Sequence, residues 1–256
     1  MEVYYYILFF IMGTIFGSFY NLVALRVPKK ISIVKPNSHC DYCNHELKWY
    51  ELIPIISFLL QKGKCRNCHT KLSWLYPFTE MATGLLFLVS YYSFGFSYDL
   101  LIALTLVSTF ILVIVSDLNY LIIPDRFILL PSIIVLIITI LDKGVLIGLR
   151  QLGYGLLCFL IMYLIMLIGN KLFKKESLGG ADIKLMFLVG LTLDPLLFII
   201  VVFLASIFAL PIALFLLYKN REHIIPFGPF LVFGLLVVFF TKLSIQEILS
   251  KMLMIF

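Results

Sequence analysis

Two aspartates and four cysteines are the residues of this 256-residue chain whose types and spacing point to chemistry. Asp117 ends an apolar run in Ile-Val-Ser-Asp117-Leu-Asn-Tyr-Leu-Ile-Ile-Pro-Asp125, and Asp182 opens another in Gly179-Gly180-Ala181-Asp182-Ile183-Lys184. Carboxylates at the ends of such runs are expensive to place and default to a functional reading. Brought together, two of them share a proton, because like charges a few ångströms apart do not both ionise readily, and the pair then offers one base and one acid. The base activates a water for attack on a peptide carbonyl while the acid donates to the carbonyl oxygen. Gly179 and Gly180 are expected to support this site by allowing a tight turn and a close approach of an extended substrate strand. Taken singly, each aspartate also reads as a helix cap or as the partner of a lysine, Asp182 with the basic loop before it. Asp125 competes with Asp117 for the first place in the pair, but Asp125-Arg126 reads well as an N-terminal cap and local charge pair.

The cysteines stand as Cys40-Asp-Tyr-Cys43 and Cys65-Arg-Asn-Cys68. Each C-x2-C turn presents two thiolates, and two such turns complete the tetrahedral four-sulfur shell that Zn²⁺ accepts. A shell closed by four cysteines has no open position, so the expected ion is structural. In a reducing compartment the same thiols are not expected to form disulfides. Cys65-Arg-Asn-Cys68-His69 also matches a c-type haem attachment pattern, but that reading leaves Cys40 and Cys43 unexplained. Redox cycling of the pairs is the other alternative. His39, His45 and His69 flank the turns as solvated or supporting residues, and Cys158, alone in an apolar run, reads as a small buried hydrophobe.

The elements that must position these groups are membrane helices. The chain is 62% hydrophobic and 13% charged, with a mean hydropathy of +1.07, against about 45–50% and about 25% in soluble domains. The runs are long and continuous, which excludes the alternating segments of a β-barrel. The predicted fold is an all-α polytopic membrane protein with about eight transmembrane helices and a small cytoplasmic zinc-binding loop. The spans are Val3–Val27, Tyr76–Phe94, Leu100–Val115, Phe127–Leu141, Val145–Ile168, a short one over Leu185–Leu193 that must begin near Gly180, Pro195–Leu217 and Phe227–Phe240. Three parts follow: a first helix over residues 1–27, the four-cysteine domain over 28–76, and a membrane domain over 77–256. The short apolar segment Leu52–Leu60 is expected to lie at the interface. The first run lacks the leading positive charge of a signal peptide and reads as a retained helix with its N-terminus outside. This threading puts 16 of the 20 Lys and Arg residues on one side, which the positive-inside rule makes the cytoplasm of an inner or plasma membrane. The net charge of +6 is therefore a topology signal, and no nucleic-acid partner is expected.

With these residues in view, the sequence resembles the type IV prepilin peptidase family, the leader peptidases and N-methyltransferases of pilus, type II secretion and competence systems. The resemblance covers nearly the whole chain. It runs through Gly17-Ser18-Phe19-Tyr20-Asn21, Arg26-Val27-Pro28, both cysteine pairs, Trp49-Tyr50-Glu51-Leu52-Ile53-Pro54, Tyr76-Pro77 with Glu80, Asp117 with Ile123-Pro124-Asp125, and Gly179 through Leu185. It implies that Asp117 and Asp182 are the catalytic pair, while Asp125 matches a second Asp of the motif that has no assigned proteolytic role; Asp125 and Lys184 are expected beside the pair as support. One departure is Ala181, where the family signature has Gly; a backbone needing positive φ there would be strained.

The resemblance further implies a substrate of prepilin or pseudopilin type, with a short basic leader, and S-adenosylmethionine as methyl donor. Docking of a basic leader would fall to Asp41, Glu46, Glu51, Glu80 or Glu176, and the methyl-donor site to the loop that includes Glu51. Glu80 also reads as an interfacial charge partner. Two rival functions make different predictions. A proton-coupled transporter would carry acids at the membrane midplane and inverted repeats, and a non-enzymatic assembly scaffold would tolerate loss of both aspartates.

Overall fold

A computed structural model describes residues 2–174, 178–218 and 226–242. Among them the fold is helical: α1 (Glu2–Arg26), a 3-10 turn (Trp49–Glu51), α2 (Ile56–Leu60), α3 (Leu75–Phe94), α4 (Tyr98–Tyr120), α5 (Arg126–Lys143), α6 (Val145–Phe173), α7 (Gly180–Thr192), α8 (Leu197–Tyr218) and α9 (Gly228–Phe240). Each of the eight predicted runs is a helix. Four of them, over Val3–Arg26, Tyr98–Tyr120, Val145–Leu172 and Leu197–Phe215, are long and apolar enough to cross a bilayer. Helix α7 does begin at Gly180, yet its 13 residues make about 20 Å at 1.5 Å per residue, short of a ~30 Å hydrocarbon core.

The chain divides into two compact units, Met1–Phe96 and Ser97–Phe256. In the first, α1 lies along α3 in the most extensive helix pairing of the molecule. Small residues make this possible: a Cβ on Gly13 would stand 2.7 Å from Gly84 Cα, and one on Gly17 would stand 2.9 Å from Glu80 Cα. Polar side chains tie one end of the pair together, where Thr79 Oγ1 donates to Asn21 Oδ1 at 2.8 Å. At the other end Phe9 stacks on Tyr91 with centroids 4.7 Å apart, and Phe96 packs edge-on against Tyr5 and Tyr91. Between α1 and α3 the chain forms the cysteine hairpins. Glu80 anchors them, accepting a hydrogen bond from the Ile55 amide at 2.7 Å.

In the second unit α7 is the inner element. Leu185, Met186, Leu188, Val189 and Leu191 are almost fully buried, and α5, α6 and α9 surround the helix. Its crossing with α6 is tight, since a Cβ on Gly190 would lie 2.5 Å from the Tyr154 carbonyl and 2.8 Å from Gly155 Cα. Helix α9 packs against α4, α7 and α8. This places the C-terminal end of α4 and the N-terminal ends of α7 and α9 around one point.

Candidate active site

Asp117 sits in the last turn of α4. The helix closes on Leu121, which adopts the left-handed conformation (φ 53°, ψ 32°) and donates its amide to the Asp117 carbonyl at 2.9 Å. Asp182 sits in the first turn of α7 and donates its amide to the Gly179 carbonyl at 3.1 Å. Both side chains are buried, Asp117 6% and Asp182 9% exposed.

The start of α9 shows how near they are. A Cβ on Gly228 would lie 3.4 Å from Asp117 Oδ2 and 3.4 Å from Asp182 Oδ1. The two oxygens are therefore no farther apart than twice that distance. Among the described residues neither carboxylate has an ion pair. Two buried acids on separate helices, brought to one glycine and without a cation partner among the described residues, form a candidate acid–base pair.

The lysine that competes for Asp182 is engaged elsewhere. Lys184 Nζ donates to Asp125 Oδ1 at 2.6 Å, and both partners are exposed. Asp125 stands at the N-cap of α5 but makes no side-chain cap hydrogen bond, so the expected cap is replaced by an ion pair to the neighbouring helix. The Asp125–Lys184 ion pair thus joins the start of α5 to the first turns of α7.

The glycines contribute differently from the expectation. Neither Gly179 nor Gly180 has positive φ. Gly179 is an extended N-cap residue whose missing side chain makes room for the carboxylate, since a Cβ there would lie 3.0 Å from Asp182 Oδ2. A Cβ on Gly180 would meet nothing. Ala181 is an ordinary helical residue of α7 without positive φ, so replacing the family glycine introduces no strain and suits the helix better. Gly228 itself is the residue that sequence reasoning misses. Pro226-Phe227-Gly228-Pro229 before an apolar run is ordinary helix-start punctuation, and nothing in it names the acids it faces.

The four cysteines converge in the first unit. Their Sγ atoms all lie within 4.8 Å of one another, with Cys40 to Cys68 at 3.8 Å and Cys43 to Cys65 at 3.9 Å. A tetrahedron with Zn–S bonds of about 2.3 Å has edges of about 3.8 Å, so the cluster matches a zinc shell, and all four thiols are free. The two turns fold alike: the Asn44 amide bonds the Cys40 carbonyl and the His69 amide the Cys65 carbonyl, with Asn44 and His69 both in the left-handed region. Among the described residues no histidine joins the group. Convergence of all four sulfurs also removes the reason for the haem reading, which uses only one pair.

Glu51 and Glu80, expected as docking acids, are buried (6% and 7% exposed), while Asp41 and Glu46 are exposed. Glu176 lies outside the described residues. Glu80 holds an amide and has no cation partner among the described residues, so it is an internal anchor and not an interfacial charge partner. Glu51 accepts from the Lys48 amide at 2.9 Å through Oε2 and lies 3.5 Å from His45 Nε2, while its buried Oε1 has no hydrogen-bond partner.

Known proteins agree with this picture. Residues 11–94 match the bacterial peptidase A24 N-terminal domain, and residues 104–214 match the type IV leader peptidase family. A prepilin leader peptidase/N-methyltransferase of Bacillus subtilis (strain 168) is 38% identical over 187 residues, 72% of this chain and 72% of that protein. A protein of the same name from Myxococcus xanthus (strain DK1622) is 36% identical over 181 residues, 71% of this chain but 54% of the relative. The one from Vibrio cholerae serotype O1 is 30% identical over 94% of this chain and 98% of its own length. No solved structure gives a significant match. Both halves of the chain, and the cysteine and aspartate motifs within them, fall inside these matches: the chain belongs to the type IV leader peptidase family.

Proposed function

We propose that this chain is a membrane aspartic endopeptidase that removes the short basic leader of a type IV prepilin or pseudopilin, with Asp117 and Asp182 as its catalytic pair. The observation that carries the reading is the meeting of two buried carboxylates from separate helices beside Gly228. One carboxylate takes the proton of a water as it attacks the scissile carbonyl, and the protonated partner donates to the carbonyl oxygen. As the C–N bond breaks, the first carboxylate passes its proton to the departing amine and the diol intermediate returns a proton to the second, which restores the pair. Gly179 gives the Asp182 carboxylate its room, and the Asp125–Lys184 pair keeps the lysine off Asp182. Family membership favours this reading over a proton-coupled transporter or an assembly scaffold.

The orientation that fits is the one the basic residues predict: a multi-pass inner or plasma membrane protein with about eight spans, its N-terminus outside and the aspartate pair near the cytoplasmic face. Residues 28–76 form a domain built on zinc, which Cys40, Cys43, Cys65 and Cys68 hold in a closed shell. When bound, the ion supplies folding energy and no open coordination position. The membrane peptidase domain is residues 77–256.

The relatives' names include N-methyltransferase, and the reading extends to methyl transfer onto the new N-terminus, with S-adenosylmethionine as donor. We place that activity on the cysteine loop with Glu51, whose buried Oε1 has no hydrogen-bond partner and lies 3.9 Å from Arg66 Nε, a cation that an incoming ammonium group would replace. The test is mass spectrometry of a pilin precursor incubated with the purified protein, with and without S-adenosylmethionine. Loss of the leader, plus 14 mass units (about one methylene) on the mature chain when the donor is present, supports both activities; an intact precursor overturns the reading. Glu51→Gln is expected to lower methylation while leader removal continues, and equal loss of both would remove Glu51 from the methyl-transfer site.

A further inference from the structure

Gly228 is buried at the start of α9, and its φ is not in the left-handed region, so its backbone alone does not demand glycine. The surroundings do. A Cβ there would strike Ile123 Cδ1 and stand 3.4 Å from both Asp117 Oδ2 and Asp182 Oδ1. The first obstacle is the far end of a flexible side chain, which can move. The second is of another kind, because 3.4 Å is ordinary contact between carbon and oxygen. The carboxylates would not be displaced; a methyl group would instead occupy the space in front of both. A water or peptide carbonyl bonded to such oxygens needs that space, at about 2.6–3.2 Å from each.

We propose that Gly228 is a positioning residue whose bare Cα forms the wall of the reaction space between Asp117 and Asp182, so that any side chain at 228 displaces the water and scissile peptide group. The inference rests on the peptidase reading for its chemistry, but the space it assigns can be probed without that reading.

Three variants separate packing from positioning: Gly228→Ala, Ile123→Val and the two combined. Ile123→Val deletes Cδ1, the atom that the new methyl would strike. Were Gly228 needed only for packing, the double variant would recover cleavage. The inference predicts that G228A loses about 100-fold in kcat/KM toward a pilin-like precursor. It predicts that the double variant regains wild-type thermal stability and stays equally impaired, and that I123V alone still cleaves. Should G228A/I123V fail to fold, G228A/I123A, with more room, takes its place.

Carbodiimide labelling of Asp117 and Asp182, read by peptide mass spectrometry, gives a second readout that needs no substrate. Labelling of both is expected to fall in the double variant. Recovered cleavage or unchanged labelling in a folded double variant overturns the inference. If the wild type leaves the precursor intact while labelling falls as expected, the peptidase reading fails and the assigned space stands.

Discussion

Asp125 follows Asp117 by eight residues and pairs with Lys184, two residues after Asp182, and its removal separates an ion-pair role from a catalytic one. The bond from Lys184 Nζ to Asp125 Oδ1 is short, 2.6 Å, but the side chains are 48% and 58% exposed. Exposed ion pairs contribute about 0.2–1 kcal/mol, because water already solvates both charges and two long side chains must be ordered. One kcal/mol is about a fivefold effect. Asp125→Ala is therefore expected to keep cleavage within about fivefold of wild type, whereas loss of a general acid or base costs about 10²–10⁴-fold. The assay is the initial rate of leader removal by purified D125A, K184A and the double variant, with thermal stability measured on the same samples. The double-mutant cycle should return a coupling of no more than about 1 kcal/mol, shrinking as salt is raised. Loss of cleavage by D125A as complete as that by D182A would refute this assignment and return Asp125 to the catalytic pair.

The cysteine cluster predicts one zinc per chain, measured by elemental analysis, with zinc lost in Cys40→Ser or Cys65→Ser; retention of full zinc by either variant would contradict the four-sulfur shell. In the metal-free protein, hydrogen bonds from the Thr70 hydroxyl and amide lower the Cys68 thiol to about 6. Against the favourable Tyr42 amide, burial and the adjoining Cys65 and Cys43 thiols push Cys40 up to about 11. Alkylation at neutral pH should consequently modify Cys68 first and Cys40 last among the four clustered cysteines, and the reverse order would contradict the assignment. At the α6–α7 crossing, Gly190→Ala forces a methyl onto the Tyr154 carbonyl at 2.5 Å. The expected cost is about 1–3 kcal/mol, seen as a lower unfolding midpoint in detergent; an unchanged midpoint would mean that the two helices are not in contact there.

Much of this site is legible in the sequence, for reasons that also explain what is not. In a chain with only 13% charged residues, acids at the ends of apolar runs stand out, and paired C-x2-C turns specify their own geometry. The eight helices follow from the apolar runs. Their pairing does not, because the intimate contact of α1 with α3 depends on glycines that periodicity alone does not flag. Lys184 reads as a partner for Asp182, its close neighbour along the chain. Its partner in space is Asp125, 59 residues away in sequence, because successive helical residues point in different directions. Glu80 and Glu51 read as surface acids since sequence carries no record that backbone amides reach them. Ala181 reads as a strain risk only if the glycine motif is a turn; it is the first turn of a helix. Gly228 is invisible for the simplest reason: it acts by lacking a side chain next to groups that lie far upstream.

In the proposed mechanism Asp117 and Asp182 act as one acid–base unit. Its most direct test is cleavage of a pilin-like precursor by wild type, Asp117→Asn, Asp182→Asn and the double variant, each purified, folded and assayed by mass spectrometry. Groups that act together are non-additive. Each single variant is expected to leave the precursor intact, and the double variant to be no worse than either. Full cleavage by D117N or D182N, or losses that multiply in the double variant, would contradict it.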